Sequence, residues 1–115
     1  MIYFKEFPTV EIPPLALELG FIDSSWHNDA GPRMIHQSQA EIDDANSPIP
    51  ILTFMCGGED QAAELGSPDA AYLVYWAVYG CEHDQSRASH SGPDLINAMM
   101  FLAMQRDLLL WENQK

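Results

Sequence analysis

Cysteine and histidine residues lie close together in the C-terminal half of the chain, where they could hold a zinc ion. Cys81 and His83 are separated by one residue, His90 follows, and Cys56 is the only other cysteine. Two cysteines and two histidines suffice for a tetrahedral zinc site. The C-x-H spacing differs from the C-x-x-C and H-x-x-x-H turns that recur in such sites. The sequence therefore favours polar loop residues beside a buried cysteine, and we expect neither a metal nor a cofactor.

Cys81 is also a candidate nucleophile, which His83 or His90 would activate and Asp84 would orient. The surrounding carboxylates argue against this role, because nearby negative charge disfavours a thiolate. The common motifs of nucleotide-binding proteins, serine hydrolases and zinc proteases are absent from the sequence. We therefore expect no enzymatic activity, with a small metal-dependent or thiol enzyme centred on Cys81, His83 and His90 as an alternative.

Carboxylates dominate the middle of the chain. The formal net charge is −12, and no lysine or arginine occurs between Arg33 and Arg87. The carboxylates of that stretch are Glu41, Asp43, Asp44, Glu59, Asp60, Glu64, Asp69, Glu82 and Asp84. Such a charge attracts basic surfaces and repels nucleic acids and anionic membranes. The sequence thus predicts a basic protein partner, with no direct binding of nucleic acid or membrane.

Two acidic segments, 41–44 and 59–69, coincide with predicted connections and a short helix, so we expect their side chains to be exposed. A tryptophan in the preceding polar segment could add an apolar anchor. The predicted partner-binding residues are Glu41, Asp43, Asp44, Glu59, Asp60, Glu64, Asp69 and Trp26. The alternative is an ordinary acidic domain whose charge only maintains solubility, with Trp26 packed on the core.

The elements that position these residues follow from hydrophobic periodicity and from the placement of proline and glycine. Segment 72–79 is rich in valine, tyrosine and tryptophan and predicts a central strand, although the Ser67-Pro68-Asp69 cap sequence makes a helix the rival. Segments 21–32, 38–50 and 80–92 are polar and predict connections. The other predicted elements are strands at 2–7, 33–37 and 51–56, short helices at 15–19 and 59–65, and a long helix at 93–112.

This order of elements predicts an α+β fold in a single small domain, residues 1–115. A small, mainly antiparallel sheet would pack against the long C-terminal helix and one or two short helices. The N-terminal residues lack the pattern of a signal peptide, and the longest apolar run is about half of what a spanning helix needs. We therefore expect a cytoplasmic protein with reduced cysteines.

In size, acidity and lack of a catalytic motif, the chain resembles small proteins of bacteriophages and mobile elements, among them anti-CRISPR proteins and other nucleic-acid mimics. The resemblance implies an inhibitor that occupies a basic, nucleic-acid-binding surface of a host complex. Met99, Met100 and Met104 of the last helix could supply apolar contact, although core packing is the simpler interpretation. A homo-oligomeric structural protein, such as a homodimer whose last helix pairs with itself, is a further alternative.

Overall fold

A sheet and a long helix packed on it form the framework of the molecule. A computed structural model describes residues 12–24, 31–42, 49–78, 82–84 and 86–114, without the side chains of residues 82 and 83. The helices are α1 (Pro14–Glu18), α2 (Gly58–Leu65) and α3 (Leu95–Asn113), with 3-10 helices at Gln37–Ile42 and Pro68–Ala70. The strands are β1 (Phe21–Asp23), β2 (Arg33–His36), β3 (Ile51–Met55), β4 (Tyr72–Val78), β5 (Glu82–His83) and β6 (His90–Gly92). The predicted α+β class is confirmed.

Within the described part of the chain, the sheet is antiparallel throughout. Strands β1 to β5 follow one another in chain order across it, and each pairs with the next. Strand β6 also pairs with β4, on residues 72–74, whereas β5 pairs with residues 77 and 78. The short β5 and β6 thus lie along one edge of β4, and β3 lies along the other.

For segment 72–79 the sequence predicts a central strand with a helix as the rival, and the strand is confirmed as β4. Ser67 does act as an N-cap, because its Oγ accepts the N–H of Asp69 at 3.3 Å. The helix that it caps ends at Ala70 after one 3-10 turn. The aromatic and β-branched residues that follow gain more from pairing with β3 on a buried sheet than from continuing the helix.

Three polar segments contain structure that local composition did not predict. The predicted connection 21–32 begins with β1, and the connection 38–50 begins within a 3-10 helix. The predicted connection 80–92 contains β5 and β6. Each of these strands is stabilised by pairing with a neighbouring strand, for example Phe21 of β1 with His36 of β2. Such pairing overrides weak local propensity. The strand predicted at 2–7 lies outside the described residues.

Helix α3 covers one face of the sheet. Asp94 caps its N-terminus, since Asp94 Oδ1 accepts the N–H of Ile96 at 2.9 Å. The cross-strand row Met34, Phe54 and Val74 joins Leu102 in one buried cluster. The opposite face of the sheet is buried as well, as shown by the burial of Ile35, Ile51, Thr53 and Ala77. The continuous apolar run of β3 predicted such two-sided burial.

Candidate partner-binding surface

The acidic segment after β3 folds as α2 and the 3-10 turn that follows it. Gly66 ends α2 in the left-handed conformation, with a φ of 74°. Glu59 and Asp60 occupy the first turn, where carboxylates stabilise a helix by interacting with its dipole. Part of this acidic character is therefore explained by helix stability alone.

One buried glutamine fixes α2 against the sheet. Gln61 is fully buried, and its Oε1 accepts the N–H of Gly57 at 3.1 Å. Its Nε2 donates to the carbonyl oxygens of Ala70 at 2.8 Å and Ala71 at 3.2 Å. These bonds join the start of α2 to the segment that leads into β4, so the acidic side chains are held on a fixed backbone.

Four carboxylates of this segment point away from the core, and we call them the acidic surface: Glu59, Asp60, Glu64 and Asp69, all exposed. Arg87 and Arg106 form their ion pairs elsewhere, with residues 84, 107 and 112. Within the part of the chain that is described, Glu59, Glu64 and Asp69 form no ion pair. The acidic surface can therefore accept cationic groups from another molecule.

The remaining predicted partner-binding residues do not join this surface. Glu41 is exposed on the 3-10 helix that precedes β3. That helix is anchored at the start of β3, because Gln39 Oε1 accepts the N–H of Leu52 at 2.9 Å. The acidic surface follows the other end of β3, so the strand separates Glu41 from it. Trp26, Asp43 and Asp44 lie outside the described residues.

Two shallow grooves border the acidic surface, each with a volume of about 600 Å³. Glu59 and Tyr72 line both grooves. Burial, followed by nearby Cys56 and Glu59, raises the pKa of the Tyr72 hydroxyl. Tyr72 is consequently neutral at physiological pH and offers an O–H group next to a carboxylate. The small side chains Ala62, Ala63 and Ala71 leave the first groove open.

The candidate zinc ligands are only partly described. Cys56 is buried, and burial raises the pKa of its thiol to about 12, so this sulfur is a poor nucleophile. Cys56 follows β3 and His90 lies on β6, with β4 between the two strands. Cys81 and the side chain of His83 lie outside the described residues. Among the described residues, no group of three or more His, Cys, Asp or Glu side chains could hold a metal ion.

Two features of the structure were not predicted from the sequence: several glutamines are buried, and several apolar residues of α3 are exposed. Besides Gln61, Gln39 and Gln105 are buried, and Gln105 Oε1 accepts the indole N–H of Trp76 at 3.0 Å. Met99 packs in the core, whereas Met100 and Met104 are exposed on α3. The only sequence signal for the exposed methionines was the apolar character of α3 around most of its circumference.

None of the helices in the described ranges combines the length and apolar character that crossing a membrane would require. Comparison of the chain with protein-family models, curated proteins and solved structures finds no match.

Proposed function

We propose that this chain is a non-enzymatic interaction protein whose acidic surface binds a basic, nucleic-acid-binding surface of a host complex and keeps nucleic acid away from it. The observation that carries the proposal is the concentration of four exposed carboxylates on one anchored segment, residues 59–69. The predicted bacteriophage origin is a separate matter and stays a prediction.

The anchoring of α2 supports binding, because a ligand surface that is already ordered loses little conformational entropy on association. Gln61 fixes the first turn of α2 through Gly57, and Ser67 caps the 3-10 turn that carries Asp69. Carboxylates held in this way can accept charge-assisted hydrogen bonds from arginine. Flexible acidic tails would have to be ordered first.

Charge balance also supports this surface as the binding region. The chain has five basic residues, and Arg87 and Arg106 are engaged by carboxylates outside the acidic surface. A basic partner would therefore find little competition for Glu59, Glu64 and Asp69. Its association should be fast and sensitive to salt, as expected for electrostatic steering.

The test compares two charge reversals that change the net charge equally, Glu64→Lys and Glu18→Lys. Both glutamates are exposed on helices, but only Glu64 belongs to the acidic surface. The first probe is a fluorescent arginine-rich peptide, titrated at low and high salt. We expect Glu64→Lys to weaken binding by roughly fivefold or more and Glu18→Lys to change it by less than about twofold.

A second experiment uses the tagged chain to capture proteins from its native host, followed by competition of the captured protein with a DNA or RNA oligonucleotide. We expect a basic protein whose nucleic-acid binding is inhibited by the parent chain and less by Glu64→Lys. Glu41→Lys reports whether the separate carboxylate beyond the start of β3 contributes. Equal loss of binding in Glu64→Lys and Glu18→Lys would show that only net charge matters, and the proposal would then be wrong.

A further inference from the structure

The outward face of α3 is mainly apolar, although Asn97, Asp107 and Asn113 are also exposed on the helix. Ile96, Met100, Met104 and Trp111 are 70%, 62%, 66% and 55% exposed, respectively. Spaced mainly four residues apart, with Leu108 beside them, they form one row along the helix. Scattered exposed apolar residues are normal in soluble proteins, but a continuous row of this length indicates a contact surface.

The area of this row is close to what a specific interface needs. Side chains of this size, exposed by about half or more, provide apolar area on the order of 500 Å² per copy. Two copies packed face to face would bury roughly 1,000 Å² in total, near the lower limit for specific protein–protein interfaces. The row is therefore sufficient for a reversible homodimer without contributions from other surfaces.

The row is also electrically neutral, although the chain is strongly acidic. Helix α3 and its N-cap together carry three carboxylates, and each has an intramolecular partner. Asp94 caps the helix, Asp107 pairs with Arg106 at 2.9 Å, and Glu112 binds Arg87 through two hydrogen bonds of 3.0 and 3.2 Å. A basic partner gains nothing from such a surface. A second copy of the same neutral, apolar face matches it.

A groove at one end of the row fits the aromatic residue at the other end. Pro13, Pro14 and Leu15 of the α1 region line it together with Ile96, Met100 and Ala103, and its volume is about 400 Å³. Every described residue that lines it is apolar. Grooves of this size accept aromatic groups. In an antiparallel pair of α3 helices centred on Met104, Trp111 of one copy lies at the level of Asn97 of the other, one residue from Ile96 and at the mouth of this groove.

We propose that α3 binds α3 of a second copy in antiparallel orientation, with Trp111 of each copy entering the groove of the other. Met104 then lies on the two-fold axis, and Met100 faces Leu108 of the other copy. The interface is self-complementary, as a two-fold dimer requires. It does not depend on the acidic surface, so either proposal can fail without affecting the other.

Sedimentation velocity on the full chain, from about 1 to 200 µM, is expected to show a concentration-dependent monomer–dimer equilibrium. Met104→Glu places two carboxylates against each other on the axis and should raise the dissociation constant roughly a hundredfold or more. Trp111→Ala should raise it roughly thirtyfold. Leu65→Glu is the matched control, because Leu65 is an exposed apolar residue of α2 outside the row and should leave the equilibrium unchanged.

Disulfide formation tests the register of the pair. In a Cys81→Ser background, with Cys56 buried, Met104→Cys should form a covalent dimer under mild oxidation. Two packed helices bring facing Cα atoms within disulfide distance at the axis. Ile96→Cys should crosslink with Trp111→Cys but not with itself. A monomer at every concentration, an equal effect of Met104→Glu and Leu65→Glu, or self-crosslinking of Ile96→Cys would each overturn the proposal.

Discussion

Replacement of Gln61 by leucine should cost much of the stability of this protein, although the two side chains have similar size. The leucine removes the acceptor of the Gly57 N–H and the donor to the Ala70 carbonyl oxygen. The Ala71 carbonyl oxygen keeps a partner, because it also accepts the N–H of Gly58 at 2.9 Å. The Gly57 N–H and the part-buried Ala70 carbonyl oxygen thus lose their bonds from residue 61, and the Met55 carbonyl oxygen loses a longer one of 3.4 Å.

A buried polar group that loses its partner costs about 1–3 kcal/mol, so Gln61→Leu should lower the free energy of unfolding by about 2–5 kcal/mol. For a domain of this size the melting temperature should fall by roughly 10–20 °C. Urea and thermal unfolding monitored by circular dichroism measure both values. Gln37→Leu makes the same chemical change at an exposed glutamine and should stay within about 0.5 kcal/mol of the parent.

Gly31→Ala provides an independent check on the same contact. A Cβ at residue 31 would overlap Gln61 Oε1 and lie 3.0 Å from the Gly57 Cα. Because both variants disturb one contact, their effects on the free energy of unfolding should be less than additive. Full additivity, or a cost below about 1 kcal/mol for Gln61→Leu, would refute the assignment of Gln61 as the residue that anchors α2.

Gln61→Glu should make the stability of the protein depend on pH, and the direction of the effect can be worked out from burial. A glutamate in this fully buried position should have a raised pKa, since burial and the carbonyl oxygens of Met55, Ala70 and Ala71 around it disfavour the charged form. Below the unfolded value of about 4.3 the protonated side chain can still donate, and the variant approaches the parent in stability. As the pH rises through the folded pKa, stability is lost. The deficit relative to the parent should therefore be larger at pH 8 than at pH 5.

Three further outcomes follow from side chains of the sheet. Burial, then the charge of Arg106, lowers the pKa of His36 below 6.5, so the unfolded chain binds its proton more readily. His36 therefore stabilises the fold above pH 6.5 and loses that contribution on acidification. In urea unfolding, the difference in the free energy of unfolding between pH 8 and pH 5.5 should be smaller for His36→Gln than for the parent. In Cys81→Ser, the Cys56 thiol should resist a disulfide reagent at pH 8 and react fully in urea; labelling of the folded protein would contradict its burial. His90 Nε2 is buried without a hydrogen-bond partner among the described residues, and the ring lies 5.7 Å from that of Phe101, so His90→Phe should raise the free energy of unfolding by about 1 kcal/mol. A loss of stability in that variant would indicate that the nitrogen is bonded in solution.

Much of the fold could be predicted where local pattern and tertiary packing agree. Helix α3 has an Asp cap after Pro93 and an apolar surface that exceeds one stripe, and both features are visible in the sequence. Strand β3 is a continuous apolar run between Pro50 and Gly57. Strand β1 gave no such signal, because the polar residues after it are typical of loops and its pairing partner lies on β2. Long-range pairing of this kind cannot be deduced from local composition.

The candidate surfaces were harder to predict for a different reason. Sequence hydropathy places glutamine outside and methionine inside, whereas Gln61 is buried and Met104 is exposed. The position of Gln61 depends on backbone groups of residues 57, 70 and 71, which meet only in the folded chain. The side of α3 that remains exposed depends on which residues the sheet covers. The burial of Gln61 leaves no local trace in the sequence, and the exposed face of α3 is indicated only by the apolar character of the helix around most of its circumference.

The two proposed contact surfaces should respond in opposite ways to rising salt concentration. The acidic surface binds through charge, so its affinity should fall as salt screens carboxylates such as Glu64. The α3 row has no uncompensated carboxylate and binds through apolar burial, which salts such as sulfate strengthen. Sulfate should also reduce repulsion between two chains of net charge −12 and favour the dimer further. Rising salt should therefore release a basic partner while it stabilises the homodimer, and a dimer that dissociates in salt would place charged residues in its interface.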